Sequence, residues 1–139
     1  MIELASGSAT STSAPAEFHA RWVDHRTWPQ WSPDTEWVRV DGPVRAGARG
    51  VLRAKGGPRV RFEITTVEPD SEYTDTALFF GARLVFRHTA EAFADGTRLA
   101  VHVAIDGPLS LVWGLVLRRG FEKSAQADLD RLVALVEGR

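Results

Sequence analysis

The order in which hydrophobic periodicities follow one another constrains this chain more than any single motif. After an opening segment, apolar residues recur at every second position through six successive stretches. Past Gly107-Pro108 the period lengthens to that of one helix running to the end. Each period-two stretch turns one face of a pleated strand inward, and that face needs cover. Only the last helix is apolar and long enough to provide it. The sequence therefore predicts a sheet that curves around one helix and leaves space at an end.

The boundaries follow from local signals. Residues 2–12 are Ser/Thr-rich and read as a first strand with weak alternation. Ser13-Ala14-Pro15-Ala16-Glu17 opens a short helix, with Pro in the first turn and Glu at the positive end of the dipole. Phe18, Trp22 and Val23 share a face of it. The helix should stop before Pro29, and residues 27–33 allow no more than a single helical turn. Further strands are predicted over 36–41, 48–55, 59–67, 72–79, 82–93 and 97–106, separated by Gly42-Pro43, Gly56-Gly57-Pro58, Glu68-Pro69-Asp70-Ser71, Gly81 and Asp95-Gly96. In the third of these, Val60, Phe62 and Ile64 alternate with Arg59, Arg61 and Glu63. Leu111, Val112, Leu115, Phe121, Ala125, Leu129, Leu132, Val133 and Val136 form the helical stripe, with a bend or break expected at Gly120. Its roughly 27 residues would span about 40 Å.

These elements make an α+β protein of one domain, residues 1–139. The chain has 44% hydrophobic and 25% charged residues, in the range of globular domains. The formal charge of -1 argues against a nucleic-acid partner. The absence of cysteine removes disulfides and thiolate chemistry. The longest apolar run, residues 109–117, is half the length of a membrane span. The start, Met1-Ile2-Glu3-Leu4, lacks a basic region and an apolar run, so a cytoplasmic location is expected. His19 and His25 lie six apart rather than on one helical face, Ser32, Ser71 and Ser110 lack a nucleophile-elbow pattern, and Gly56-Gly57 follows a turn rather than a strand-to-helix junction. No metal and no cofactor are expected.

Several short motifs occur in a telling order: Ala14-Pro15-Ala16-Glu17-Phe18, Asp24 with Trp28-Pro29-Gln30-Trp31-Ser32-Pro33, Val67-Glu68-Pro69, Asp95-Gly96-Thr97-Arg98-Leu99, and Gly107-Pro108-Leu109 before the last helix. In this the whole chain resembles the START-like and Bet v 1-like (SRPBCC) superfamily, particularly its bacterial polyketide cyclase/dehydrase and lipid-transport branch. The resemblance implies a helix-grip fold: a seven-stranded curved antiparallel sheet around a long C-terminal helix, with two short helices after the first strand. It also implies a range of functions, since relatives bind lipids, sterols, polyketides or plant hormones, some catalyse cyclisation, and others act on partner proteins.

Hairpin geometry assigns faces. A two-residue Asp95-Gly96 loop would place Phe86 opposite Ile105, His88 opposite Val103 and Ala90 opposite Val101, on the inner face with Leu84 and Leu99. His102 then points outward beside Thr89. A two-residue Phe80-Gly81 loop would set Tyr73 opposite His88 and Asp75 opposite Phe86. Tyr73, Asp75 and His88 thus meet on the inner surface, where unpaired polar groups are costly and a cavity relieves them. A dry void of about 300–1,000 Å³ would cost about 7–24 kcal/mol, so a pocket of that size should hold water or ligand.

The expected function is binding of a hydrophobic small molecule, lipid- or polyketide-like, by a monomer or homodimer. The contacts expected are Trp31, Phe62, Tyr73, Phe86, His88, Val101 and Leu115. Two alternatives stand beside it. One is a cyclase/dehydratase-type enzyme, with His88, Asp75 and Tyr73 as catalytic candidates moving protons. The other is a cochaperone-like protein that binds a partner. Each residue also has a structural reading. His88 and Tyr73 can be hydrogen-bonded core residues, and Asp75 reaches solvent if the register slips. Trp22, Trp28, Trp31 and Trp37 can cap the barrel end or stack on a ligand. The parity of Arg53 with Leu52 points it outward.

Overall fold

Alternation of apolar and polar residues yields seven strands in the computed structural model, which describes residues 1–139. They are β1 (Ile2–Ser11), β2 (Thr35–Val40), β3 (Arg49–Ala54), β4 (Arg59–Glu68), β5 (Glu72–Phe79), β6 (Ala82–Phe93) and β7 (Gly96–Asp106). All neighbours are antiparallel, in the order β1-β7-β6-β5-β4-β3-β2. Helix α1 (Pro15–Trp22) and a 3-10 helix (His25–Gln30) join one sheet edge to the other, and α2 (Ser110–Val136) follows β7. This is the helix-grip α+β fold with a curved open sheet. No helix is long and apolar enough to cross a membrane.

Helix α1 begins as its sequence suggests. Pro15 occupies the first turn, and the Ala14 N–H donates to Glu17 Oε2 at 3.0 Å, satisfying a donor that the helix itself leaves free. Phe18 and Trp22 are buried beneath it. Trp28 anchors the 3-10 turn by donating from Nε1 to the Trp22 carbonyl at 3.1 Å.

The β6–β7 register differs from expectation by two residues. Phe86 faces Val103, His88 faces Val101 and Ala90 faces Leu99. The connecting pair is Ala94-Asp95, with Ala94 at φ +53°, while Gly96 already pairs with Phe93. Gly96 serves another purpose: a Cβ there would lie 1.9 Å from the Ser11 carbonyl oxygen, where β1 passes. Because the pleat repeats every two residues, the slip leaves every side chain on the face foreseen for it. His102 faces outward, opposite Arg87 rather than Thr89, with Nδ1 2.8 Å from Glu3 Oε1. The β5–β6 turn is the expected Phe80-Gly81 pair, with Gly81 at φ +72°.

Helix α2 runs unbroken through Gly120. Its apolar stripe divides in two. Ala125, Leu129, Leu132 and Val133 in the second half are buried in the core, whereas Leu111, Val112, Leu115 and Val116 in the first half face outward. The Arg118-Arg119-Gly120 break in the stripe marks the change. Past it, the sheet grips the helix, with Gln126 bonded to both backbone groups of Ser8 and Glu137 accepting from Ser11 Oγ.

Candidate functional site

The curvature leaves a cavity of about 420 Å³ between α2 and the inner faces of β2 through β7. Seventeen of its 25 lining residues are hydrophobic, so its walls are mainly apolar. Ala77, Phe79, Leu84, Phe86, Val101 and Val103 supply the floor from the inward positions of β5, β6 and β7. Leu117, Phe121, Ala125 and Leu129 supply the helical wall at one-turn spacings. Trp28 and Trp31 close one end.

Two polar clusters interrupt these walls. The inner one holds Asp75 and His88, both buried and both on the cavity surface. Behind Asp75, the Tyr73 hydroxyl lies 3.0 Å from Asp75 Oδ2 and 2.7 Å from His25 Nε2. Tyr73 and Asp75 stand two apart on β5, which puts them on one face, and the 3-10 helix carries His25 to them. The tyrosine has one proton for two neighbours. With Asp75 ionised, the hydroxyl donates to Asp75 and accepts from His25 Nε2–H. With Asp75 protonated, the carboxyl donates to the tyrosine oxygen, and the hydroxyl donates to an unprotonated His25 Nε2.

Burial sets the electrostatics of this chain of groups. Asp75 is pushed up to about 7, chiefly by desolvation and against the pull of the Tyr73 hydroxyl bond. Tyr73 is raised well above its ordinary 10, by burial and then by the neighbouring Asp75 carboxylate. Burial lowers His25 to about 4, with the Val23 carbonyl and Asp24 acting weakly in the opposite sense. His88 is likewise lowered to about 4 by burial.

His88 stands apart from this hydrogen-bonded chain. It bonds neither Tyr73 nor Asp75, although its ring centroid lies 6.0 Å from that of Tyr73 and 5.7 Å from that of Trp22. The tyrosine hydroxyl reaches the 3-10 helix instead, and His25 takes the position. The His88 nitrogens have no hydrogen-bond partner in the protein, and the residue lines the cavity. Trp31, also on the lining, likewise has an unpartnered Nε1.

The second cluster lies where α2 meets the segment that follows the 3-10 helix. Ser32 Oγ donates to Asp128 Oδ2 at 2.8 Å and lies 3.2 Å from Thr35 Oγ1, tying the end of the 3-10 helix to α2. Asp128 is raised by its burial, opposed by Ser32 and Arg131. Ser32, Asp34, Thr35 and Asp128 all line the cavity.

Of the contacts expected from sequence, Trp31, Phe86, His88 and Val101 line the cavity, as does Asp75. Phe62, Tyr73 and Leu115 do not. Phe62 and Tyr73 are sealed in the core behind the wall, packed against His25 with ring centroids at 6.1 and 5.5 Å. Leu115 is 84% exposed because the first half of α2 turns that flank outward. Trp22, Trp28 and Trp31 are buried together, but Trp37 is separate from them. It lies near the guanidinium groups of Arg39 and Arg59, at 5.7 and 5.8 Å from its ring. Arg53 pairs with Glu36 at 3.4 Å. Asp128 was the missed residue with a readable signal: it continues the Leu117–Phe121–Ala125 face by helical spacing. His25 carried no such signal, since its partner comes from a strand 48 positions away.

A sequence model of the family described as polyketide cyclase / dehydrase and lipid transport matches residues 5–137. No curated protein matches the sequence significantly. Among solved structures, the di-domain ARO/CYC StfQ from the steffimycin biosynthetic pathway superposes with a TM-score of 0.79 at 12% identity, over 99% of this chain and 52% of that one. Protein MLL2253 from Mesorhizobium loti gives 0.72 at 16% identity, over 96% of each chain. Ara h 8.0201 gives 0.69 at 18% identity, over 96% of this chain and 97% of that one. At such identities the likeness is one of fold.

Proposed function

This chain belongs to the polyketide cyclase / dehydrase and lipid transport family, and from that premise we propose that it binds an apolar or aromatic small molecule in the cavity between sheet and α2. One observation carries the reading: a volume of about 420 Å³ with mainly apolar walls and few polar groups, Asp75 and His88 on the sheet and Ser32, Asp34, Thr35, Ser124 and Asp128 beside and on α2. Small-molecule sites commonly have volumes of about 300–1,000 Å³ and few, convergent polar groups. A ligand with an apolar body and one carbonyl or hydroxyl end suits this arrangement. Its body would lie against Phe86, Phe121 and Val103, with its polar end at His88 and Asp75.

A second reading, proton-transfer chemistry of the cyclase or dehydratase type, is favoured by Asp75 specifically. A carboxyl pushed up to about 7 can release and take up a proton near neutral pH. It borders the cavity and is backed by Tyr73 and His25, which can stabilise either protonation state. In this role Asp75 would abstract a proton α to a substrate carbonyl and return it to the oxygen leaving as water.

Titration with the neutral apolar fluorophore N-phenyl-1-naphthylamine, followed by competition with aromatic polyketides and fatty acids, tests the binding reading. Saturable one-to-one binding by the wild type and by Asp75→Asn is expected. No saturable binding by the wild type would defeat the proposal. If the second reading holds, Asp75→Asn keeps its affinity but loses about 10²–10⁴-fold in turnover of a reactive poly-keto analogue.

A further inference from the structure

Alternation sorts charge by sign around the cavity. On β4, Val60 lines it while Arg59 and Arg61, one position to either side, are exposed. On β6, Phe86 and His88 line it and the intervening Arg87 is exposed. On α2, Phe121 lines it while Arg118, Arg119 and Lys123 are exposed. None of the chain's 17 Lys and Arg residues belongs to the lining. Three aspartates do, Asp34, Asp75 and Asp128.

Both polar clusters of the wall share this sign. Asp75 stands on β5 near His88, and Asp34 and Asp128 stand where α2 meets the segment after the 3-10 helix. One cation is bonded to a lining aspartate: Arg131, 3.0 Å from Asp128 Oδ1, itself exposed and outside the lining. A ligand anion could use it only by displacing Asp128. The lining's unpartnered nitrogens carry no charge to offset one. They belong to the Trp31 indole and to His88, whose burial opposes its protonation.

We propose that the cavity selects its ligand by charge: it takes lipophiles whose polar end is an uncharged hydroxyl or carbonyl, and it rejects carboxylates, fatty acids among them. A charge that leaves water for a mainly apolar site needs an opposite charge there. A carboxylate head would meet an aspartate at either polar cluster and a cation at neither, whichever way the ligand lay. A carbonyl or hydroxyl oxygen can accept from a neutral N–H of His88, and a hydroxyl can also donate to a carboxylate. An ammonium head loses its hydration as a carboxylate does, but it meets carboxylates of opposite sign. The uncharged head should therefore bind best, the cation next and the anion worst. This selectivity rests on the ligand-binding reading above and narrows its ligand to a class.

The test is displacement of N-phenyl-1-naphthylamine from the full chain by 1-decanol, decylammonium and decanoate, which have equal carbon counts and differ only at the head. At about pH 8 all three aspartates are ionised in large part. Decanoate should then displace the dye at least about tenfold less well than decanol, with decylammonium between them. Decanoate that competes as well as decanol, or as well as decylammonium, overturns the proposal. Asp75→Asn removes the charge of the sheet cluster, and Asp34→Lys, at an exposed position of the lining, reverses one beside α2. At least one of these variants should narrow the decanol-to-decanoate ratio by about threefold or more. A ratio that neither variant narrows also overturns it, because the aspartates would not be the cause. Saturable dye binding with decanoate equal to decanol defeats the selectivity alone. No saturable dye binding by the wild type defeats the ligand-binding reading, and the selectivity falls with it.

Discussion

A histidine buried without a partner resists protonation, and His88 makes this measurable. Burial lowers both His88 and His25 to about 4 from the ordinary 6.5. Between those values the unfolded chain takes up two protons that the folded chain refuses, so the stability tied to these groups is present above 6.5 and lost as pH falls toward 4. Asp75 works in the opposite sense. Raised to about 7 from 3.8, it keeps in the folded state a proton that the unfolded chain has released, and its contribution is lost as pH rises through 7. Two histidines outweigh one aspartate, so these three groups make stability fall as pH drops from 6 to 4.5. His88→Phe should remove one proton from that balance, reducing the slope by about 1.4 kcal/mol per pH unit. Thermal or urea unfolding across this window measures it, and an unchanged slope would mean that His88 ionises freely. The inward orientation of His88 could be read from alternation alone. The partner of Tyr73 could not, because two elements distant in sequence decide whether a hydroxyl turns toward His25 or His88.

At the scale of elements, two glycines separate what a strand tolerates from what a helix tolerates. Gly96 lies where β1 crosses the β6–β7 hairpin, and a Cβ there would press into the Ser11 backbone. Gly96→Ala should destabilise by about 1–3 kcal/mol, through parting of the β1–β7 ladder. Gly120 sits in the interior of α2 with open space around it. Gly120→Ala should stabilise by about 1 kcal/mol, because alanine is the better helix former. Equilibrium unfolding of the two variants checks both signs together, and a destabilised Gly120→Ala would show that the helix requires slack at the cavity edge. Element identities were legible because β4 through β7 alternate cleanly and proline and glycine punctuate them. The exact β6–β7 pairing was not, since Asp-Gly was read as the turn whereas close approach of β1 places Gly96 in the ladder. Likewise, hydrophobicity marked the first half of α2 as apolar, but only the sheet's extent decides whether that half is covered.

Across the whole molecule, cover is uneven. Helix α2 packs on β1, β7 and β6, while β2, β3 and β4 stand on the far side of the cavity. Local opening should therefore be easiest at the β2–β3 edge, which exposes the least core when it parts. Hydrogen exchange followed by mass spectrometry is expected to label β2 and β3 well before β6 and β7, and an apolar ligand should slow the β2–β3 side most. Equal protection of both sides would contradict the division. The strand order has a further consequence, for synthesis. Ile2 pairs with Ile105 and Ser11 with Thr97, so the first strand made is the last to find its neighbour. At roughly 5–20 residues per second, a translating chain leaves β1 without its ladder partner for about 5–20 seconds. The sequence of β1, IELASGSATS, is rich in small polar residues. A nascent strand of that composition can wait in water without recruiting its neighbours on the polysome, which an oily one could not.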